Sequence, residues 1–204
     1  MKRALLAVLV LAVASGAAFG LDVAFSAGPK AGANFGWGGG SDYNDRADAQ
    51  DGKGVGVGFA AGGFLNVAFS EQFSVQPEVL FFQWKAKTKA DPDDSVSTSN
   101  SVTIPVLAKG SFAMGPGSLF ILGGPAATIL IGDITSEAGD TETETEPDNT
   151  ALFAAAVGVG YEAPVGPGSL SAELRYSRTF GEFIDDYEAV FNAASLLVGY
   201  GFAF

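Results

Sequence analysis

From Leu21 to the last residue, large apolar side chains recur at every second position, stretch after stretch, and no stretch keeps a 3.6-residue period. A period of two puts these side chains on one face of an extended strand, which commits the chain to β-structure. In the last stretch Leu196, Val198, Tyr200, Phe202 and Phe204 share one face, and Leu197, Gly199, Gly201 and Ala203 the other. Leu170, Ala172, Leu174 and Tyr176 alternate with Ser171, Glu173, Arg175 and Ser177. Phe153, Val157, Val159 and Tyr161 oppose Ala154, Ala156, Gly158, Gly160 and Glu162. Earlier, Val55, Val57, Phe59, Leu65, Val67 and Phe69 oppose Gly56, Gly58, Ala60, Gly62 and Asn66. Phe73, Val75, Val79 and Phe81 face away from Ser74, Gln76 and Glu78. Val102, Ile104, Val106 and Phe112 face away from Thr103, Lys109 and Ser111. A weaker first strand has Phe25, Phe35 and Trp37 against Lys30 and Asn34. The stretch Ser118–Gly132 is apolar on both faces, so its register stays open.

These segments make eight strands whose connections alternate in length. Short turns are expected at Ser70–Gln72, Ala113–Gly117 and Pro164–Gly168, and long polar loops at Gly38–Gly54, Ala86–Ser101, Asp133–Thr150 and Gly181–Phe191. The phrase GPGSL occurs in two of the turns, at Gly115–Leu119 and Gly166–Leu170, and reads as a hairpin device.

One apolar face per strand suits either a soluble barrel with a greasy interior or a membrane barrel with a greasy wall. The opposite face decides. It is mostly Gly, Ala, Ser and Asn with scattered ions, a poor solvated exterior but a good filling for the narrow interior of eight strands. The ions on it are Lys30, Lys109 and Arg175 against Glu78, Glu162 and Glu173. They balance in number, and pairing is expected because an unpaired ion in a confined lumen costs several kcal/mol. About ten residues per strand at ~3.3 Å, tilted ~45°, rise roughly 23 Å, close to the ~25 Å apolar band of membrane barrels. The expected architecture is therefore all-β: an eight-stranded antiparallel up-and-down transmembrane β-barrel with both termini in the periplasm. Phe69, Phe73, Phe112, Phe120, Tyr161 and Phe204 are expected to ring the periplasmic side, and Trp37, Phe153, Tyr176 and Phe180 the outer side.

The first 20 residues read as a cleavable signal peptide: Lys2 and Arg3, an apolar run Ala4–Ala14, then small residues. As a helix that run spans only roughly 16 Å against ~30 Å of hydrocarbon. Residues 21–204 form the barrel domain. Pro29, Pro77, Pro105 and Pro125 lie inside strands, where a closed barrel has no edge to hide a missing N–H; bulges are expected to absorb them. Phe64, Phe82, Trp84 and Leu107 fall on the inner face, either by a shift of parity or as lumen packing.

The chain has no Cys and no His, which removes disulfides, zinc clusters, thiol nucleophiles and imidazole bases. A net charge of −12 argues against nucleic acid. Asp42, Asp45, Asp48 and Asp51, and the acid–Thr alternation of Glu137–Asp148, have two readings: carboxylate clusters that hold Ca²⁺ or Mg²⁺, or solvated, disordered loops, and the second is favoured because the calcium-loop pattern is not matched. No cofactor and no metal site is expected.

The phrases FSVQPEVLFFQWK (Phe73–Lys85), VTIPVLAKGSF (Val102–Phe112), LFILGGPAATILI (Leu119–Ile131), LSAELRYSRTFG (Leu170–Gly181) and the terminal LLVGYGFAF together resemble the outer membrane β-barrel domain family of small, OmpX-like and PorT-like barrels. The resemblance implies the outer membrane of a diderm bacterium, with lipid and lipopolysaccharide as surroundings. It implies that Tyr200, Phe202 and Phe204 form the C-terminal aromatic signal read by the barrel-insertion machinery. It assigns no single activity. Barrel enzymes that cut or transfer lipid A acyl chains use a catalytic His, which is missing here, so no enzyme is expected. The leading expectation is a structural or surface-interaction barrel that displays four acidic loops to an unidentified extracellular ligand or host surface. The alternatives are a small porin-like pore, a secretion-assisting barrel and, from another class, a soluble lipocalin-like ligand-binding barrel.

Overall fold

The structure is a computed structural model that describes residues 23–39, 52–89, 95–139, 141–146, 150–180 and 190–204. The expected leader, Asp42, Asp45, Asp48 and Asp51, and most of the connection Gly181–Phe191 lie outside the described residues. The strands are β1 Ala24–Gly39, β2 Gly52–Ala68, β3 Phe73–Lys89, β4 Ser95–Met114, β5 Gly117–Ala138, β6 Thr141–Thr145, β7 Ala151–Val165, β8 Gly168–Phe180 and β9 Val190–Ala203. Eight of them close into an antiparallel barrel: β1 pairs with both β2 and β9, and the circle runs on through β3, β4, β5, β7 and β8. The ninth, β6, lies outside the circle and pairs with β5 from Ile134↔Thr145 to Ala138↔Thr141.

Two expected loops are thus largely strand. Within Ala86–Ser101, β3 continues to Lys89 and β4 already begins at Ser95. Within Asp133–Thr150, β5 runs on to Ala138 and turns back as β6. The physical reason lies in TETET itself: Thr has a high strand propensity, and its alternation with Glu is as regular as any apolar one. The β5 extension follows a displacement of two residues in its pairing with β4, from Asn100↔Ile131 to Thr98↔Thr135, beside Gly132 at φ 72°. Gly accommodates that left-handed backbone without a Cβ penalty.

Alternation sorts the two faces as the sequence pattern requires. On β8, Ser171, Glu173, Arg175, Ser177 and Thr179 are buried while Ala172, Leu174, Tyr176, Arg178 and Phe180 are exposed. The open register of Ser118–Gly132 resolves with even residues inward: Phe120, Leu122, Ala126, Thr128 and Leu130 are buried, whereas Leu119, Ile121 and Ile131 are exposed. Phe120, expected in the periplasmic aromatic ring, is instead a lumen residue at 2% exposure. Both faces of its segment are apolar, so hydropathy alone gave no parity. Phe82, Trp84 and Leu107 are also lumen packing, with no parity shift needed to place them.

The prolines are handled without bulges. Pro29 lies in a gap of the β1–β9 ladder between Ala27↔Phe202 and Lys30↔Gly199. Pro77 lies in a gap of β2–β3 between Phe64↔Glu78 and Val67↔Val75. Pro105 lies in a gap of β3–β4 between Pro77↔Val106 and Leu80↔Thr103, and Pro125 in a gap of β4–β5 between Pro105↔Ala126 and Ala108↔Gly123. Register is unchanged across each gap, so the chain omits a short piece of one ladder where the N–H is missing.

Both GPGSL turns start with Gly at positive φ, Gly115 at 62° and Gly166 at 60°, followed by Pro. Gly at the first central position of a two-residue loop fits the strand twist of a tight hairpin. Each turn is also pinned from a neighbouring strand: the Tyr161 hydroxyl donates to the Met114 carbonyl at 2.9 Å, and the Tyr200 hydroxyl to the Val165 carbonyl at 2.7 Å.

The β1–β9 seam depends on Gly28 and Gly32, where a Cβ would meet the backbone carbonyl oxygens of Tyr200 and Leu196. Gly32→Val is expected to abolish the heat-modifiable, fast-migrating folded band on detergent gels. Gly110→Ala, whose new methyl would have only an ordinary contact with Ile121 at 3.7 Å, is expected to keep it.

Candidate functional site

The lumen is where the charged residues converge. Lys30 on β1, Glu78 on β3, and Glu173 and Arg175 on β8 all stand on inward positions, and each is at most 3% exposed. Closure brings these three strands together across the interior. The Lys30 ammonium Nζ donates to Glu78 Oε1 at 2.7 Å and to Glu173 Oε2 at 2.9 Å. Arg175 grips Glu78 with both terminal nitrogens, Nη1 to Oε2 at 2.6 Å and Nη2 to Oε1 at 2.9 Å, and donates to Glu173 through Nε. The paired fork is the strongest geometry a guanidinium and a carboxylate can adopt. Two cations and two anions make a neutral quartet, which is what makes so deep a burial of charge tolerable.

Lys109 and Glu162 form a separate pair nearer the end that carries the tight turns, with Nζ to Oε2 at 2.9 Å. The Lys109 ammonium also lies 4.4 Å from the centre of the Phe120 ring. A cation over an aromatic face gains from the ring quadrupole, most of all when desolvated. Lys30 has a similar neighbour in Phe64, at 5.2 Å.

Apolar side chains fill the lumen on both sides of the quartet. Leu80, Phe82 and Trp84 continue β3 beyond Glu78 and pack with Ala60, Ala193 and Leu197. Leu130 and Leu152 add a further group joined by Phe191, whose ring lies 6.2 Å from Trp84. On the other side Leu107, Phe120, Leu122 and Ala156 form a second plug. The remaining polar groups pair locally: Trp84 Nε1 donates to Ser101 Oγ at 2.8 Å, the Thr103 and Thr128 hydroxyls meet at 3.1 Å, and Ser195 Oγ donates to Asn34 Oδ1 at 2.9 Å.

Sequence reasoning missed Gln76, whose amide donates to Glu78 Oε1 at 2.6 Å. Its signal was present, since Gln76 stands two residues before Glu78 on the same inward face. Of the terminal aromatics, Tyr200 locks the second GPGSL turn, and its ring meets Phe202 edge-on at 4.8 Å. Phe204 donates its backbone N–H to the Phe25 carbonyl at 3.1 Å and stacks on the Phe25 ring at 6.2 Å, with 79% of its surface exposed. All three stand at the turn end.

The wall is the other functional surface. Val55, Val57, Phe59, Ile121, Val157, Leu174, Leu196 and Val198 are each more than 40% exposed and form a continuous apolar exterior. A soluble barrel cannot present such a surface to water, so the lipocalin-like alternative fails.

Comparison with known proteins gives the same picture. The sequence profile of the family described as "Outer membrane protein beta-barrel domain" matches residues 12–185. Among solved structures, Neisserial surface protein A superposes with a TM-score of 0.52 at 16% identity, covering 88% of this chain and 97% of that one. The outer membrane protein OprG from Pseudomonas aeruginosa superposes with a TM-score of 0.51 at 10% identity, covering 90% and 97%. At such identities the likeness concerns the fold alone. None of the curated proteins compared with the chain matches it.

Arg175→Met would leave two buried carboxylates facing one ammonium and is expected to cost about 3–5 kcal/mol of stability. The double change Arg175→Met with Glu78→Gln leaves Lys30 and Glu173 balanced and is expected to recover most of that loss. Urea unfolding in lipid vesicles measures both; an unchanged midpoint for Arg175→Met alone would show that the quartet does not stabilise the barrel.

Proposed function

The chain belongs to the outer membrane protein beta-barrel domain family and resides in the bacterial outer membrane; from that premise we propose that it acts as a sealed, non-catalytic barrel that presents its long connections at the cell surface for interaction. The observation that carries this reading is the filled lumen. A neutral ion quartet lies between two apolar plugs, which leaves side chains where a conducting pore needs water. An eight-stranded barrel has an interior just wide enough for such filling. The absence of histidine supports the non-catalytic part, because the barrel would have no imidazole to act as a general base.

The surface role rests on length. β4 and β5, at 20 and 22 residues, exceed the roughly ten residues that cross the apolar band, so they carry strand pairing well past the outer interface. With β6 they form a stiff ledge bearing Glu137, Glu142 and Glu144 at the surface. Such a ledge suits recognition of an extracellular partner better than a mobile loop does, since less ordering entropy is lost on binding.

In planar lipid bilayers the folded protein is expected to give no steady unitary conductance. Discrete channels of reproducible size would overturn the sealed-barrel reading and favour transport. Tyr200, Phe202 and Phe204 are proposed to serve the insertion machinery as well as the fold. Deleting Phe204 is therefore expected to leave the chain unassembled in the periplasm, while the same variant still refolds into detergent micelles; normal insertion in cells would refute the signal role.

A further inference from the structure

Arg178 stands on the wrong side of the barrel for a structural cation. It occupies an outward position of β8 and is exposed, directly above Leu174 and Tyr176 on the apolar wall. Register places it in one row with Trp37 of β1, Asn192 of β9 and Ala155 of β7. Aromatic rings surround that row. Trp37 and Tyr176 lie 6.1 Å apart, Phe153 and Phe180 5.9 Å apart, and the Arg178 guanidinium carbon is 6.0 Å from the Phe180 ring centre. The Tyr176 hydroxyl donates to Asn192 Oδ1 at 2.8 Å, fixing the floor beneath the arginine. Among the described residues no carboxylate lies within ion-pair distance of Arg178.

Its height decides what it meets. From Leu170 to Arg178 the strand climbs about 26 Å at ~3.3 Å per residue, or roughly 19 Å along the membrane normal at ~45° tilt. Against an apolar band of ~25 Å that leaves roughly 6 Å to the outer headgroups, a gap that a long side chain spans. The distribution of charge agrees. Outside the lumen, Lys85, Lys87 and Arg178 all stand toward the ends that carry the long connections.

We propose that Arg178, framed by Trp37, Tyr176, Asn192 and Phe180, is a binding site for the phosphate-bearing headgroup of an anionic lipid in the outer leaflet. The guanidinium fork pairs with two phosphate oxygens, a geometry that a lysine ammonium does not reproduce. The rings hold the acyl chains and glycerol or sugar region at the interface, where Trp and Tyr are favoured. Any such lipid must come from the membrane itself, since the site opens sideways through the wall. The proposal rests on the wall facing lipid and is independent of whether the lumen conducts.

The two tryptophans make the test direct. Trp37 lies beside the site, while Trp84 is enclosed in the lumen at 3% exposure and serves as an unquenched reference. The folded protein is reconstituted in phosphatidylcholine vesicles containing either phosphatidylglycerol or phosphatidylcholine brominated high on the acyl chain, at equal mole fraction. Brominated phosphatidylglycerol is expected to quench Trp37 with roughly five-fold selectivity over brominated phosphatidylcholine. Arg178→Gln is expected to abolish the selectivity while retaining equal quenching by both lipids, and Arg178→Lys to keep only part of it. Unbrominated lipopolysaccharide should restore Trp37 emission, and inorganic phosphate should not. Equal quenching in the parent protein, selectivity that survives Arg178→Gln, or displacement by inorganic phosphate would overturn the site. Quenching of Trp37 by either lipid reports the lipid-facing wall separately, so failure of the site and failure of the membrane reading are distinguishable.

Discussion

Everything in this protein depends on closing a ladder of backbone hydrogen bonds in a solvent that offers none. Hydrocarbon leaves each unpaired N–H or C=O costly, so a strand can cross a membrane only if the sheet has no edge. The decisive joint is the one between the first and last strands, where β1 meets β9 from Ser26↔Ala203 to Gly39↔Val190. Gly28 and Gly32 let the two backbones approach, and the Phe204 N–H extends the joint to the Phe25 carbonyl. The four interior prolines fit because each sits where one ladder is interrupted without loss of register. The chain thus tolerates a few missing bonds but keeps the circle.

Closure then dictates the interior. Eight strands leave a space that Gly, Ala, Ser and a limited number of large side chains must fill. Small residues on β1, β2 and β9 make room for long ones, among them Glu78 on β3, Glu173 and Arg175 on β8, and Lys30 on β1 itself. Lys30, Glu78, Glu173 and Arg175 come from strands that are not neighbours in the sheet, so their pairing ties opposite walls together through the lumen. The apolar residues packed around this quartet leave it little exposed, which strengthens its electrostatics. The same arrangement that stabilises the barrel therefore bears on what it can do.

Much of this was legible in the sequence. Period-two alternation identified the crossing strands, the Gly-rich face identified the interior, and the equal numbers of inward cations and anions signalled pairing. What the sequence left open has physical causes. Phe120 lies in the lumen and not on the wall, which hydropathy cannot tell because Ser118–Gly132 is apolar on both faces and carries no parity. β6 and the upper part of β4 look like loops in the sequence because Ser, Thr and Glu outside a membrane need no apolar face to form strands; pairing alone supports them. The partners of each buried ion were out of reach because they depend on strand register around a closed circle, a property of the whole chain. The fate of the prolines depends on which neighbour each missing N–H would have faced, which no local pattern encodes.

The central claim is that the large apolar face points into lipid, and lateral accessibility tests it most directly. The chain contains no cysteine, so a single introduced thiol can carry a nitroxide at any chosen position. Labels replacing Val57, Leu174 and Leu196, on three strands of the wall, are read by power saturation in lipid vesicles against oxygen, which concentrates in the bilayer, and a water-soluble nickel complex. Strong relaxation by oxygen with shielding from nickel at all three positions is the predicted result. Relaxation by nickel at these positions would mean that the face meets water, and the account of the fold as a membrane barrel would be wrong.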